Sequence, residues 1–273
     1  MGAIKVVGIQ HLPKNDRVCY KETFVVSEQN GSEKTIYYYH SNFDKDFDIK
    51  NNFYAQRFVS YVNTWAKFIP KGSVAIDVGA YDGDTTLPIA YLCGDSGKTY
   101  AFECGEQFIS KLNLNVYSNQ CLNIEPVSAA LMPYSGIHEF LYCPTDYNGG
   151  HHSTNSHIGT YTVPRLVRGV SFLDYFKDKD LSKLSFVKTD TEGHDFHILL
   201  SFKDDIKNLR PVICAEWFPG MNQFIIDLIE YIGYKAYSET TLLPIKISQE
   251  YWTQDILLIP SEKTEFYNLP QGL

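Results

Sequence analysis

Several strand-like runs of this chain carry a carboxylate at or next to their last residue: Val74-Ala-Ile-Asp77-Val78, Thr99-Tyr-Ala-Phe-Glu103 and Val212-Ile-Cys-Ala-Glu216. A further run, Leu184 to Thr189, carries Lys188 and leads straight into Asp190, Glu192, Gly193 and His194. In a sheet whose strands share one direction, their ends meet in one crevice, so Asp77, Glu103, Asp190 and Glu216 are expected to point to a common site. Charge at the end of a buried strand is costly unless it is paired, solvated or used in chemistry.

The first of these runs enters the turn Asp77-Val-Gly79-Ala80-Tyr81-Asp82-Gly83-Asp84-Thr85-Thr86. A β-branched apolar run, a glycine-spaced turn and a helical pattern in succession form the first βα turn of a nucleotide-binding α/β sheet. Gly79 and Gly83 allow close approach of backbone to a ligand. The helix start at Asp84, Thr85 and Thr86 offers free N–H groups. The spacing is not Gly-x-Gly-x-x-Gly, the turn that holds a pyrophosphate. Acids at 77, 82 and 84 repel phosphate and favour a cation. Glu103 lies twenty residues beyond Gly83, where an acid holds ribose hydroxyls. An acid-flanked turn, a ribose acid and no phosphate signal together point to S-adenosylmethionine, with its ribose, adenine and sulfonium cation. The expected cofactor contacts are Asp77, Gly79, Ala80, Tyr81 and Asp82 in the turn, with Thr85 and Thr86 as carboxylate contacts or helix caps. Phe102, Glu103 and Cys104 are expected at the ribose and Ser128 near the adenine.

The elements that position these residues follow from periodicity. From residue 74 strands and helices alternate, the pattern of an α/β fold with a mostly parallel sheet flanked by helices. Strands are expected at 74–78, 99–102, 124–127, 184–189 and 212–215, with 234–237 and 256–259 as a closing antiparallel pair. Helices are expected at 105–116, 171–176, 194–200 and 221–232. The stretch 132–170 breaks the alternation, with extended pieces at 137–143 and 160–163 around a polar middle that contains His151, His152 and His157. A long polar insertion of this kind is more often functional than a plain connector. Residues 1–70 read as an N-terminal β-hairpin (17–26 and 34–40) plus an amphipathic helix (53–68). They form a cover segment on the domain expected over 71–273; a structural cap or a dimerisation element, giving a homodimer, are the alternatives.

Composition narrows the function classes. The formal net charge is -8 and Lys and Arg are scattered, which argues against a nucleic-acid partner. No apolar stretch approaches the ~20 residues of a membrane helix, so no membrane insertion is expected. The opening Met-Gly-Ala-Ile-Lys-Val-Val is too short and poorly patterned for a secretion signal. The 6 cysteines contain no Cys-x-x-Cys pair and read as reduced thiols of a cytoplasmic protein.

Taken together, Asp77-Val-Gly-Ala80, Tyr100-Ala-Phe-Glu103, Val187-Lys-Thr-Asp-Thr-Glu-Gly193 and Arg210-Pro-Val-Ile-Cys-Ala-Glu216 resemble the FkbM family of S-adenosylmethionine-dependent methyltransferases. The resemblance covers residues 74–217 with the motifs in family order, and Lys-x-Asp-x-Glu-Gly is the most specific of them. Cys104 and Gly105 stand where the family often has Pro and Asn, and the first 70 residues have no counterpart. The resemblance implies a Rossmann-like class I methyltransferase fold with a seven-stranded sheet. It also implies O-methylation, commonly of a sugar hydroxyl on a glycan or natural product. Transfer to so weakly acidic a hydroxyl needs alignment together with a base, a metal ion, or both. Asp190 and Glu216 are candidates as base or as oxygen ligands for a Mg²⁺-like ion. His194 and His152 are candidate proton acceptors. Lys188 and Glu192 are either catalytic-centre charges or an ion pair and helix start that hold the loop. The rival readings are a nicotinamide-dependent oxidoreductase, whose three-glycine turn is missing, and a non-catalytic scaffold subunit.

Overall fold

A computed structural model describes residues 5–11, 20–27, 31–40, 53–142, 152–153, 163–217, 220–248 and 255–271. Aromatic and β-branched runs near the N-terminus form β1 (Lys5–His11), β2 (Tyr20–Ser27) and β3 (Glu33–His40), an antiparallel sheet in that order. The expected hairpin is therefore β2 and β3, with β1 added along its edge. The stripe that follows gives α1 (Phe53–Trp65), which buries Ala55, Phe58, Val62 and Trp65.

The alternating part begins with β4 (Val74–Val78), buried along its length because both faces of its sheet are covered. It continues through α2 (Thr86–Cys93), β5 (Lys98–Glu103), α3 (Glu106–Ser118) and β6 (Ile124–Ser128). After an insertion built from β7 (Ala130–Met132), β8 (Gly136–Tyr142), β9 (His152–Ser153) and β10 (Val163–Ser171), α4 (Phe172–Phe176) leads to β11 (Leu184–Thr189). The chain then forms α5 (Asp195–Ser201), α6 (Lys203–Leu209), β12 (Val212–Ala215), α7 (Asn222–Ile232), β13 (Tyr234–Ser238) and β14 (Ile256–Pro260).

The main sheet has seven strands in the order β13-β14-β12-β11-β4-β5-β6. Strands β12, β11, β4, β5 and β6 are parallel, and β14 is antiparallel to both β12 and β13. The chain moves outward from β4 to β6 and returns on the other side of β4 at β11. The gap between the ends of β4 and β11 is thus the switch point where ligands of open α/β sheets lie.

The insertion forms a second sheet, ordered β7-β10-β8-β9. The later extended piece meets β10 at Val163, and β10 runs on to Ser171, beyond the expected end; residues 160–162 of that expectation lie outside the described residues. Val167 and Val170 of β10 are buried. No helix among the described residues is long and apolar enough to cross a membrane.

The N-terminal sheet is joined to the main one through Asn115 of α3 and Asn119, which caps the end of that helix. Asn119 accepts from the Tyr37 N–H at 2.8 Å and donates to the Tyr37 carbonyl at 2.6 Å. Asn115, one turn earlier, accepts from the Tyr39 N–H at 2.6 Å and donates to the carbonyls of Tyr39 at 2.9 Å and Asp82 at 2.7 Å. These amides take the place of a neighbouring strand at the edge of β3. Phe24, Val26, Ile36, Phe58 and Trp65 share one buried cluster with Ala75, Phe186 and Cys214, so the core runs across residue 70 without a break. Replacing the buried Asn115 by Ala leaves the Tyr39 amide and the Asp82 carbonyl without these partners. The expected loss is about 2–4 kcal/mol of unfolding free energy, read from urea denaturation.

Candidate active site

A cavity of ≈ 350 Å³ opens at the switch point, within the range of a small-molecule site. Its walls come from separate elements. The turn after β4 gives Gly79, Tyr81, Asp84 and Thr85, and the end of β5 gives Phe102, Glu103 and Cys104. Ala129, Ala130, Leu131, Met132 and Phe140 form an apolar wall, and Asp190, Thr191, Glu192, His194 and Ile198 come from the segment after β11. Helix α1 adds Tyr54 and Arg57, and α3 adds Phe108.

Two backbone features fix this arrangement. Gly79 has φ +80, and a Cβ there would lie 1.9 Å from the carbonyl oxygen of Asp190, so only glycine fits where β4 and β11 converge. Tyr81 and Glu192 have φ 51 and φ 55, left-handed conformations that are rare outside glycine and cluster at functional sites.

Of the residues expected from the sequence, Gly79, Tyr81, Thr85, Phe102, Glu103, Cys104, Asp190, Glu192 and His194 line the cavity. Glu103 accepts from the Tyr81 N–H through Oε2 at 2.9 Å and from the Gly105 N–H through Oε1 at 2.6 Å. Asp77, Ala80, Asp82, Thr86, Ser128, Lys188 and Glu216 are not among the lining residues. Asp77 is fully buried and accepts from the Thr85 and Thr86 hydroxyls at 2.9 and 2.6 Å, tying strand to helix. Burial pushes its carboxyl up to about 6, against the pull of those hydrogen bonds. Asp82 lies under β3, hydrogen-bonded by the Tyr38 hydroxyl, and burial followed by the Asp84 charge raises its pKa. Ser128 is exposed, and the wall near it is formed instead by residues 129–132. Of His152 the structure describes the backbone, in β9; His151 and His157 lie outside the described residues.

Lys188 is 1% exposed and ion-pairs with Asp190 and Asp255, both at 3.3 Å. It holds Asp190 from behind the cavity, while the Asp190 side chain remains 44% exposed. Glu216 is also behind the wall. Burial, then Asp190, Asp195 and Glu192, push its carboxyl well above the usual range, and Oε2 has no hydrogen-bond partner among the described residues. Among the described residues no group of three or more His, Cys, Asp or Glu could hold a metal ion. The pairing of Asp190 with Glu216 around Mg²⁺ therefore gains no support. Burial and His197 push the His194 pKa down, which leaves its imidazole neutral at pH 7.

Several lining residues escape the sequence: Tyr54, Arg57, Phe108, Met132 and Phe140 carry no motif, and Arg57 sits on what reads as the solvent face of a helix. Asp195, buried beside Asp190, stands just beyond the Lys-x-Asp-x-Glu-Gly motif, and burial pushes its carboxyl up to about 6.

Residues 77–236, more than half of the chain, match the model of a family described as Methyltransferase FkbM domain. The chain belongs to the FkbM methyltransferase family. It is an S-adenosylmethionine-dependent methyltransferase, with the Rossmann-like fold that the strand order displays. The nicotinamide and scaffold readings fall with that assignment. Similar solved structures include an rRNA methylase from Streptococcus thermophilus, 14% identical, covering 74% of this chain and 93% of that one at a TM-score of 0.41. Fibrillarin from Aeropyrum pernix with natively bound S-adenosyl-L-methionine is 11% identical, covering 93% and 98% at 0.41. Precorrin-6y C5,15-methyltransferase from Geobacter metallireducens is 13% identical, covering 73% and 86% at 0.40. These likenesses are loose, and the family match carries the assignment. No curated protein matches the sequence.

The buried acids predict a pH dependence. For Asp77 and Asp195 the folded value is about 6 against 3.8. Between those values the native state holds more protons than the unfolded chain, so stability falls as pH rises through that window. Glu216 shifts in the same direction, so Glu216→Gln, which mimics the protonated acid, should stabilise the protein by about 1–2 kcal/mol at pH 8 and by little at pH 4.5. Thermal unfolding of both proteins across pH 4.5–8 checks this.

Proposed function

We propose that this FkbM methyltransferase methylates a hydroxyl oxygen, and that the hydroxyl belongs to a sugar in a glycan or a glycosylated natural product. The observation that carries the reading is the placement of Asp190 and His194 in the same cavity as Glu103.

The cavity suits the cofactor. Its lining holds the carboxylates Asp84, Glu103, Asp190 and Glu192 and, among the described residues, one permanent cation, Arg57. That balance favours a sulfonium ligand and disfavours a pyrophosphate. In this reading Glu103 takes the ribose hydroxyls, Tyr81 and Phe102 flank the ribose, and the wall from Ala129 to Met132 with Phe140 covers the adenine. S-adenosylmethionine, when bound, supplies a methyl group already activated on a sulfonium cation.

What remains for the protein is to align a weakly acidic hydroxyl and receive its proton. Asp190, ion-paired with Lys188 at 3.3 Å, accepts a hydrogen bond from the acceptor hydroxyl and orients it. His194, neutral at pH 7, takes the proton at a ring nitrogen. Lys188 acts through Asp190 and does not meet the acceptor. The net charge of -8 and the acid-rich cavity favour an uncharged, hydroxyl-rich acceptor over a polyphosphate chain. Aromatic faces such as Tyr54 suit the apolar face of a sugar ring.

Incubation with methyl-tritiated cofactor and a panel of oligosaccharides, glycosylated natural products and RNA tests the acceptor class. Label recovered as an alkali-stable methyl ether of a sugar supports the reading, and label confined to RNA overturns it. With the acceptor in hand, His194→Gln should lower kcat about 10²–10⁴-fold and remove the acid limb of the pH–rate profile. Its affinity for S-adenosylhomocysteine should stay within about 2-fold of the parent. Unchanged turnover would remove His194 as the proton acceptor.

A further inference from the structure

Among the described residues, the cavity's single permanent cation comes from outside the segment that matches the family. Arg57 is on α1, twenty residues before Asp77, and its guanidinium is held in place by several contacts. Nη2 lies 2.9 Å from Asp84 Oδ2 and donates to the Tyr61 hydroxyl at 2.5 Å. The group sits over the Phe53 and Tyr61 rings, 5.3 Å from each centroid. The helix beneath it is anchored at both ends: buried Glu22 accepts from the Ala55 N–H at 3.1 Å, and the Trp65 indole donates to Glu239 at 3.0 Å.

Nη2 alone carries the contacts to Asp84 and Tyr61. Among the described residues Nη1 and Nε make no hydrogen bond, the Arg57 side chain is 36% exposed, and both Arg57 and Asp84 line the cavity. The N–H groups of Nη1 and Nε remain as single donors for a carboxylate. An aspartate beside it is matched to an ammonium. The two charges side by side are complementary to an α-amino-acid zwitterion.

We propose that Arg57 and Asp84 form the subsite for the amino-acid end of the cofactor, Arg57 holding its carboxylate and Asp84 its ammonium. This rests on the assignment of S-adenosylmethionine to this cavity, with Glu103 at the ribose. The N-terminal segment then completes the cofactor site, and the ion pair seen between Arg57 and Asp84 prepares both groups for a ligand that is itself dipolar. Holding the guanidinium in place beforehand limits the ordering cost on binding.

The test compares two ligands that share the nucleoside and differ in the amino-acid end. Calorimetry of the full chain with S-adenosylhomocysteine and with 5′-methylthioadenosine is repeated for Arg57→Met and Arg57→Lys. Arg57→Met should weaken S-adenosylhomocysteine about 10- to 100-fold and leave 5′-methylthioadenosine within about 2-fold, with Arg57→Lys between parent and Met variant. Unchanged S-adenosylhomocysteine affinity, or a parallel loss of both ligands, overturns the proposal. If the variants do not fold, the parent protein decides: decarboxylated S-adenosylhomocysteine binding as tightly as the intact ligand overturns it, and about 10-fold weaker binding supports it. Failure of the parent to bind any of these nucleosides would instead sink the placement of the cofactor in this cavity.

Discussion

The close approach of β4 and β11 governs the rest of the molecule. The Asp190 N–H donates to the Val78 carbonyl at 2.9 Å, and the Asp190 carbonyl oxygen occupies the space a Cβ on residue 79 would need. A glycine at 79 therefore does more than free a turn. It allows the two central strands to stay together to their last residues, so that the turn at 79–85 and the segment at 190–194 become opposite walls of one cavity. Any larger residue would push these walls apart. The separation of the cavity-lining acid Glu103 from His194 is set by this seam and by the parallel register of β5 on β4.

That convergence also concentrates negative charge, and the protein manages it in two ways. Lys188 is the one Lys or Arg buried among the described residues, and it compensates Asp190 and Asp255. Asp77, Asp82, Asp195 and Glu216 have no comparable counter-ion, and their pKa values rise toward or beyond neutrality. They are balanced by proton uptake, because isolated charge in such surroundings is far costlier than a neutral acid. The carboxylates that do open on the cavity, Asp84, Glu103, Asp190 and Glu192, lie nearer solvent or have donors. The result is a site that attracts a cation without a large unpaired charge in the core beneath it.

The sheet was legible in the sequence because its strands are short apolar runs that break on acids. The motif at 187–193 placed its charges at the right strand end for the same reason. Which acids face the ligand was not legible. Asp82 is turned from the cavity by Tyr38, a residue 44 positions away on a strand of another sheet. Asp77 is turned from it by two hydroxyls of the helix that follows, a contact that depends on the turn's path and not on residue type. In the insertion, alternation was readable for β8, but the extent of β10 through Ser171 was not, because its partner β7 is three residues long and pairs with it in parallel across about 40 residues of chain.

Helix α1 shows how a segment read as a cover can belong to the site. Its apolar stripe, Tyr54 and Tyr61 included, was plain, and Arg57 lay outside that stripe. What changes that reading is long-range packing. Glu22 fixes the start of the helix and Glu239 receives Trp65 near its end. Glu239 is raised by burial and then by the Asp255 charge, the same aspartate that pairs with Lys188. Trp65 itself packs on Phe186 of β11, its ring centroid 5.3 Å away. The helix is thus locked to the strand that carries Lys188 and, through it, to the position of Asp190. A displacement of α1 would move the cavity's cation and its principal exposed acid together, which gives the N-terminal residues a physical hold on the site that no motif within 77–236 records.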